Sequence, residues 1–300
     1  MPAKSKSRRP KPPAVKENLA LPKETVRTKK FKKLAHGERR ISRYGWHPDL
    51  PDQRDRVYAV PAHVTAAGIP ALVDLRPQCP PIYNQGQLGA CTGNAIAAAI
   101  QFEQMKQGLP VFAPSRLFIY YNERVIEHTI TLDHGAQIRD GIKAIASLGA
   151  CPETMWPYND KNTDPKPCPA CPYAQKPTPS CYSTAAKHKA TTYQRLTPTL
   201  DVLKGCLASG YPFVFGFTVY NSFESKQVAQ TGIVPMPAPK EKVVGGHAVM
   251  AVGYDDSTQH FIIRNSWGTG WGLQGYFMLP YAYPTNSNLA DDFWTIRMVE

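Results

Sequence analysis

The chain changes its hydrophobic period partway along, and that change limits what it can fold into. Between residues 91 and 148 apolar residues recur at helical spacing. Ile96, Ala99, Ile100 and Met105 do so in CTGNAIAAAIQFEQMKQG, a further segment follows at 114–127, and Ile138, Ile142 and Ile145 share a face at 136–148. Gly108 and Pro110 end the first of these, which places Cys91 at a helix N-terminus. From Tyr211 onward the segments PFVFGFTVY, HAVMAVGYD, HFIIRNSW and GYFMLP read as strands separated by Gly, Asp, Ser and Asn turns. A helical first half and a stranded second half predict an α+β fold. Between them, residues 156–183 carry seven prolines and read as a long loop.

The net charge of +12 suggests a nucleic-acid partner until it is located. Residues 1–40 hold fourteen Lys and Arg against Glu17, Glu24 and Glu38, a net +11, whereas the other 260 residues hold 21 basic side chains against 20 acidic ones. Charge therefore describes a basic tail and not the body. Residues 1–40 are poor in large apolar side chains and are expected to be disordered. Residues 41–70 form an N-terminal extension whose Tyr44, Trp46, Leu50, Val57 and Tyr58 are expected to pack on the body. The body is expected over 71–300, with a helical half at about 71–185 and a β half at about 186–300. No apolar run reaches the roughly 20 residues of a membrane helix, and no Sec-type leader is visible, so the expectation is cytoplasmic residence or export by another route.

The hairpin at 247–265 brings two chemically useful side chains together. If HAVMAVGY and HFIIRN pair antiparallel about a turn at Asp256, paired residue numbers sum to 512 and His247 faces Asn265. An Asn amide there can orient an imidazole. A thiol becomes a good nucleophile once a helix N-terminus and a nearby imidazolium stabilise its thiolate, and together these lower a Cys pKa from about 8.5 to below neutrality. Cys91 has the first by position. Gln85, six residues upstream in a Gly-flanked turn, can present its amide to an oxyanion beside the Cys91 N–H.

NQGQLGACTGNA, GGHAVMAVGYD and NSWGTGWGLQGYF resemble, in order and spacing, the motifs of the papain-like cysteine peptidases, most like their bacterial members, over about residues 70–300. The resemblance implies a papain-like fold with its cleft between a helical and an antiparallel β subdomain. It also implies Cys91 as nucleophile, His247 as acid/base, Asn265 as the residue orienting His247, and Gln85 in the oxyanion hole. Trp267 resembles the tryptophan that shields the His–Asn bond from water. Gly135 is expected near the segment that pairs with substrate backbone, and Gly89 on the same wall. Gly216, Gly246, Ala248 and residues near Phe293 are expected to line the pocket for the side chain upstream of the cut. Peptide or protein is the implied substrate, with no metal or cofactor.

A lone Cys at a helix start is more often a small buried residue than a nucleophile, and it is the other two motifs that reverse those odds. The chain also departs from the secreted plant and lysosomal members. Leu88 stands where they have a disulfide cysteine, and Thr92 where they usually carry Trp. Cys168, Cys171, Cys181 and His188 admit a zinc reading, but their spacing favours a loop disulfide or free thiols. No charged and aromatic propeptide helix is visible in residues 1–70. Part of residues 1–40 is expected either to lie across the cleft and limit access or to be a solvated tail. Two further functional readings stand beside the endopeptidase: an acyltransferase or transpeptidase using the same thioester, and a catalytically silent binding protein holding nucleic acid through its tail.

Overall fold

The computed structural model describes residues 44–161 and 166–300. The basic tail of residues 1–40 lies outside the described residues, and so does the expectation that part of it crosses the cleft.

The central element is α2 (Cys91–Lys106), buried on nearly every side. Its run Ala97–Ala99 keeps the helix thin enough for neighbours to pack on all faces, and Gly93 lets Arg116 and Tyr120 approach, since a Cβ there would sit 2.8 Å from the Arg116 carbonyl oxygen. Ile96, Ala99 and Ile100 are buried as their spacing predicts, whereas Met105 is 40% exposed because the helix leaves the core in its last turn. Gly108 in the left-handed region follows its end. Against α2 lie α3 (Arg116–Ile126), capped by the Ser115 hydroxyl accepting from the Phe118 N–H, and α4 (Ile138–Ser147). The short helices are α1 (Ala62–Ala67), α5 (Pro179–Ala185), α6 (Leu200–Ala208) and α7 (Lys226–Thr231). Thus α5 begins inside the expected long loop, where Thr178 caps it and Pro179 occupies its first turn.

The second layer is an antiparallel sheet of β1 (Leu72–Asp74), β2 (Ala190–Arg195), β3 (Phe213–Tyr220), β4 (Val243–Asp255), β5 (His260–Arg264), β6 (Tyr276–Pro280) and β7 (Ala290–Val299). The order is β2-β7-β3-β4-β5-β6, with β1 also on β4. The α2 helix packs across β4 and β7. This is an α+β fold.

Residues 44–58 run over the body as an irregular strip. Trp46 and Tyr58 are buried, but Leu50 and Val57 project into solvent. Charge holds the middle of the strip. Asp49 accepts from Arg195 at 2.9 Å and lies 3.1 Å from Arg139, and Asp55 lies 2.5 Å from Arg139 and 3.3 Å from Arg195. Two arginines from α4 and β2 are thereby shared among carboxylates of the strip and of the β7 start.

Candidate active site

Cys91 is the first residue of α2 and is completely buried. The Ala248 N–H donates to its Sγ at 3.4 Å, so the residue next to His247 touches the sulfur. His247 meets Asn265, Nε2 to Oδ1, at 2.9 Å. The pairing is not the one expected. The β4–β5 turn spans 256–259, and the register runs Met250 to Arg264 and, beyond a bulge, Asp255 to His260. His247 and Asn265 therefore sit diagonally, an offset of two that keeps them on one face within reach. Asn265 Oδ1 also accepts the Ser266 N–H at 2.8 Å, which identifies that atom as oxygen. His247 must then donate through Nε2, leaving Nδ1 to exchange a proton. Trp267 stacks on the imidazole at 4.8 Å, with the Phe217 edge 5.8 Å away.

Gln85 is buried, and both halves of its amide are engaged. Ser266 Oγ donates to Oε1 at 2.6 Å and Nε2 donates to the Leu88 carbonyl at 3.0 Å, which orients the second Nε2 hydrogen. The turn behind it is pinned by Tyr158 donating to the Gln85 carbonyl at 2.8 Å and by Asp160 accepting from the Gln87 N–H. Asp133, fully buried, accepts from the Gly89 N–H at 3.0 Å and from Tyr120 at 2.6 Å, and Tyr120 Oη accepts from the Gly135 N–H at 3.1 Å. One carboxylate thus ties Gly89 and Gly135 together on the helical wall.

Residues 44–46 fill the space between this wall and the one formed by Gly216 and Gly246 in the sheet. The Ala136 N–H donates to the Gly45 carbonyl at 2.8 Å, the Trp46 N–H donates to the Gly246 carbonyl at 3.0 Å, and the His47 N–H donates to the Ala136 carbonyl at 3.3 Å. A Cβ on Gly45, Gly135 or Gly216 would overlap the facing chain, so these glycines allow the close approach. The Gly45 N–H faces the Cys91 sulfur. Tyr44 stands beside His247, its hydroxyl donating to Glu224 at 2.6 Å. The Trp46 indole enters the slot beside Gly216 and Gly246 and donates from Nε1 to Asp292 Oδ2 at 2.9 Å.

Gly89, Gly135, Gly216, Gly246 and Ala248 therefore converge on one surface. Phe293 does not, because it stacks on Phe215 in the core at 5.1 Å and its neighbour Asp292 faces the slot instead. Sequence reasoning missed Asp292, Ser266, Asp133 and the occupant, Tyr44-Gly45-Trp46. A glycine between two aromatic residues was the available signal for the last.

The expectation of a lowered Cys91 pKa is corrected. Burial pushes the thiol up to about 12 against smaller opposing effects of the Ala248 and Gly45 N–H groups, so it is protonated in this closed arrangement. Thr92 anchors the helix start by donating to Glu123 at 2.7 Å, and burial raises that carboxyl to about 8. Leu88 packs with Ala90, Leu117, Tyr120 and Tyr173, an apolar contact in place of a disulfide. Cys168 and Cys171 are joined by a disulfide, which removes the CxxC half of the zinc reading. Among the described residues no cluster of metal-ligating side chains is gathered. Nor is any described helix long and apolar enough to cross a membrane.

A helix-borne thiol beside a His–Asn pair, across a cleft between helices and an antiparallel sheet, defines a thiol-peptidase architecture. The chain belongs to the papain family of cysteine proteases: the family described as papain family cysteine protease matches residues 69–294. It is similar to xylellain, a cysteine protease from Xylella fastidiosa, with 49% identity, a TM-score of 0.82, and coverage of 87% of this chain and 98% of that one. An uncharacterized peptidase C1-like protein of Acanthamoeba polyphaga mimivirus is 43% identical, covering 86% of this chain and 88% of the relative. Cathepsin B-like CP3 of Giardia intestinalis is 29% identical over 76% and 74%. The fold is also that of a procathepsin B from Trypanosoma congolense, at 17% identity and TM-score 0.66 over 87% of each chain.

Proposed function

We propose that this protease cleaves peptide bonds through a Cys91 thioester and that its own residues 44–46 hold the cleft shut. Cys91 Sγ passes its proton to His247 Nδ1 and attacks the peptide carbonyl carbon. The tetrahedral oxyanion is held by the Gln85 Nε2–H and the Cys91 N–H. Collapse breaks the C–N bond, and His247 returns the proton to the leaving amine. Water, deprotonated by His247, then hydrolyses the thioester and regenerates the thiol. Asn265 keeps the imidazole aimed throughout, under the cover of Trp267.

The observation that carries this reading is the Ala248 contact to the Cys91 sulfur together with the His247–Asn265 bond at 2.9 Å. Closure is supported by the way Gly45 lies. It turns an N–H towards the sulfur and its carbonyl towards the Ala136 N–H, so its carbonyl carbon is not offered to the thiol. The strip does not need to be cut to be displaced, because the ion pairs of Asp49 and Asp55 anchor it downstream of the cleft. Departure of Trp46 would return water to Cys91 and remove the cause of its high pKa.

The test is labelling of the full chain with a thiol-reactive peptidyl epoxide at mildly acidic pH, with the adduct mapped. The expected result is modification of Cys91 among the free cysteines, faster in Trp46→Gly. Failure of Cys91 to react in either protein would overturn the reading.

A further inference from the structure

One peptide unit, Leu88–Gly89, is gripped at both ends by side chains. Its carbonyl accepts from Gln85 Nε2 at 3.0 Å, and its N–H donates to both carboxyl oxygens of Asp133, at 3.0 and 3.2 Å. Asp133 is fully buried, and glycine at 89 admits it, since a Cβ there would lie 3.2 Å from Asp133 Oδ1. The carboxyl group is itself held. Tyr120 donates to Oδ1 at 2.6 Å, with the guanidinium of the fully buried Arg124 3.9 Å from the Tyr120 ring centre. The same guanidinium ties down the loop leading to Asp133 by donating to the carbonyls of Ile130 at 2.8 Å and Leu132 at 3.1 Å. Asp133, the 88–89 peptide and Gln85 thus form a continuous chain of hydrogen bonds that ends on the amide placed for the oxyanion.

We propose that Asp133 is a positioning residue for the oxyanion hole: it fixes the plane of the 88–89 peptide and, through the Leu88 carbonyl, the Gln85 amide. The inference rests on the peptidase reading above and names what holds one of its two oxyanion donors. A peptide unit is planar, so a bond to its N–H also sets where its carbonyl points. A carboxyl group on the N–H polarises the unit as well, which makes the Leu88 oxygen a stronger acceptor for Gln85 Nε2. One Nε2 hydrogen is thereby committed to Leu88, and the other stays directed at the oxyanion. Without Asp133 the Gly89 N–H is a buried donor lacking its acceptor, and the peptide turns to find another. A donor that must first reorient gives up part of its stabilisation of the developing charge. Ser266 Oγ holds the Oε1 side of the same amide, so the two residues grip Gln85 from opposite sides.

The test is a double-mutant cycle at Asp133 and Gln85 in the full chain carrying Trp46→Gly. It is read with a fluorogenic peptide and with a dipyridyl disulfide, which exchanges with Cys91 at sulfur and builds no oxyanion. Asp133→Ala is expected to lower kcat about ten- to a hundredfold with KM within about threefold, and to leave the exchange rate at Cys91 within about threefold. Asp133→Asn, whose amide oxygen accepts from Gly89 and Tyr120 in the same place, is expected to bring kcat back to within about threefold of the Trp46→Gly chain. On top of Gln85→Ala, the change Asp133→Ala is expected to cost less than about twofold, because the residue it acts through is gone. Asp133→Glu moves the carboxyl group by one methylene and serves the same cycle should the alanine variant not fold. An unchanged kcat, an exchange rate that falls as far as kcat does, no recovery in Asp133→Asn, or a full additional loss on top of Gln85→Ala would overturn the assignment while leaving the peptidase intact. Absence of both turnover and exchange at Cys91 in the Trp46→Gly chain would instead overturn the peptidase reading, and this one with it.

Discussion

Trp46 and Asp292 stand 246 residues apart in the chain and 2.9 Å apart in the fold, joined by an indole N–H to carboxylate bond inside a slot walled by glycine. That bond makes the N-terminal strip part of the cleft rather than a cover laid on the body. The strip's backbone bonds to Ala136 and Gly246 follow the two walls, and its side chain fills the pocket between them.

Trp46→Gly is expected to open the cleft. It removes a buried aromatic side chain and one hydrogen bond, together about 3 kcal/mol of closed-state stability, so the open population should rise about a hundredfold if it is small to begin with. Steady-state turnover of a short peptide by the full chain should increase by tenfold or more. Turnover equal to the unaltered protein would show that the strip does not limit access.

Asn265→Ala is expected to lower kcat by about ten- to a hundredfold with KM within about twofold, because the imidazole loses its acceptor only where orientation matters for proton transfer. An unchanged kcat would remove Asn265 from the machinery.

Ser266 has a role that motif reading did not reach. Its hydroxyl fixes the Gln85 amide at 2.6 Å, and its N–H identifies the Asn265 oxygen, so one residue serves both sides of the cleft. Ser266→Ala should free the Gln85 amide to rotate and reduce kcat about five- to twentyfold, with little change in KM and partial rescue in Ser266→Thr. A purely structural role would lower thermal stability without that split.

The three glycine-rich motifs made Cys91, His247, Asn265 and Gln85 readable in the sequence, because each lies in a short local pattern. What escaped depended on distance along the chain. The register could not be read since the bulge between Ala251 and Gly253 leaves no mark in alternating apolar residues. Phe293, expected at the slot, stacks on Phe215 in the core, and its neighbour Asp292, with a positive φ, meets the Trp46 indole instead. The strip was placed on the body by its aromatic content, yet nothing local distinguishes Trp46, which enters the cleft, from Tyr58, which packs elsewhere.

The last prediction concerns pH and the helix that carries Cys91. Glu123 is fully buried, and burial raises its carboxyl from 4.5 to about 8 despite the hydrogen bond from Thr92. Glu103 on α2 is likewise raised to about 8 by burial. A folded-state pKa above the unfolded value means the folded protein holds a proton that the unfolded chain releases. The associated stability is therefore fully present below about pH 4.5 and is lost as pH rises towards 8, by an amount on the order of a few kcal/mol. Glu123→Gln cannot ionise and can still accept from Thr92. Its Tm should match the unaltered protein near pH 4.5 and exceed it near pH 8, with Glu103 accounting for the slope that remains. Parallel Tm curves for the two proteins across that range would mean that Glu123 is already ionised in the fold and that some other group compensates its charge.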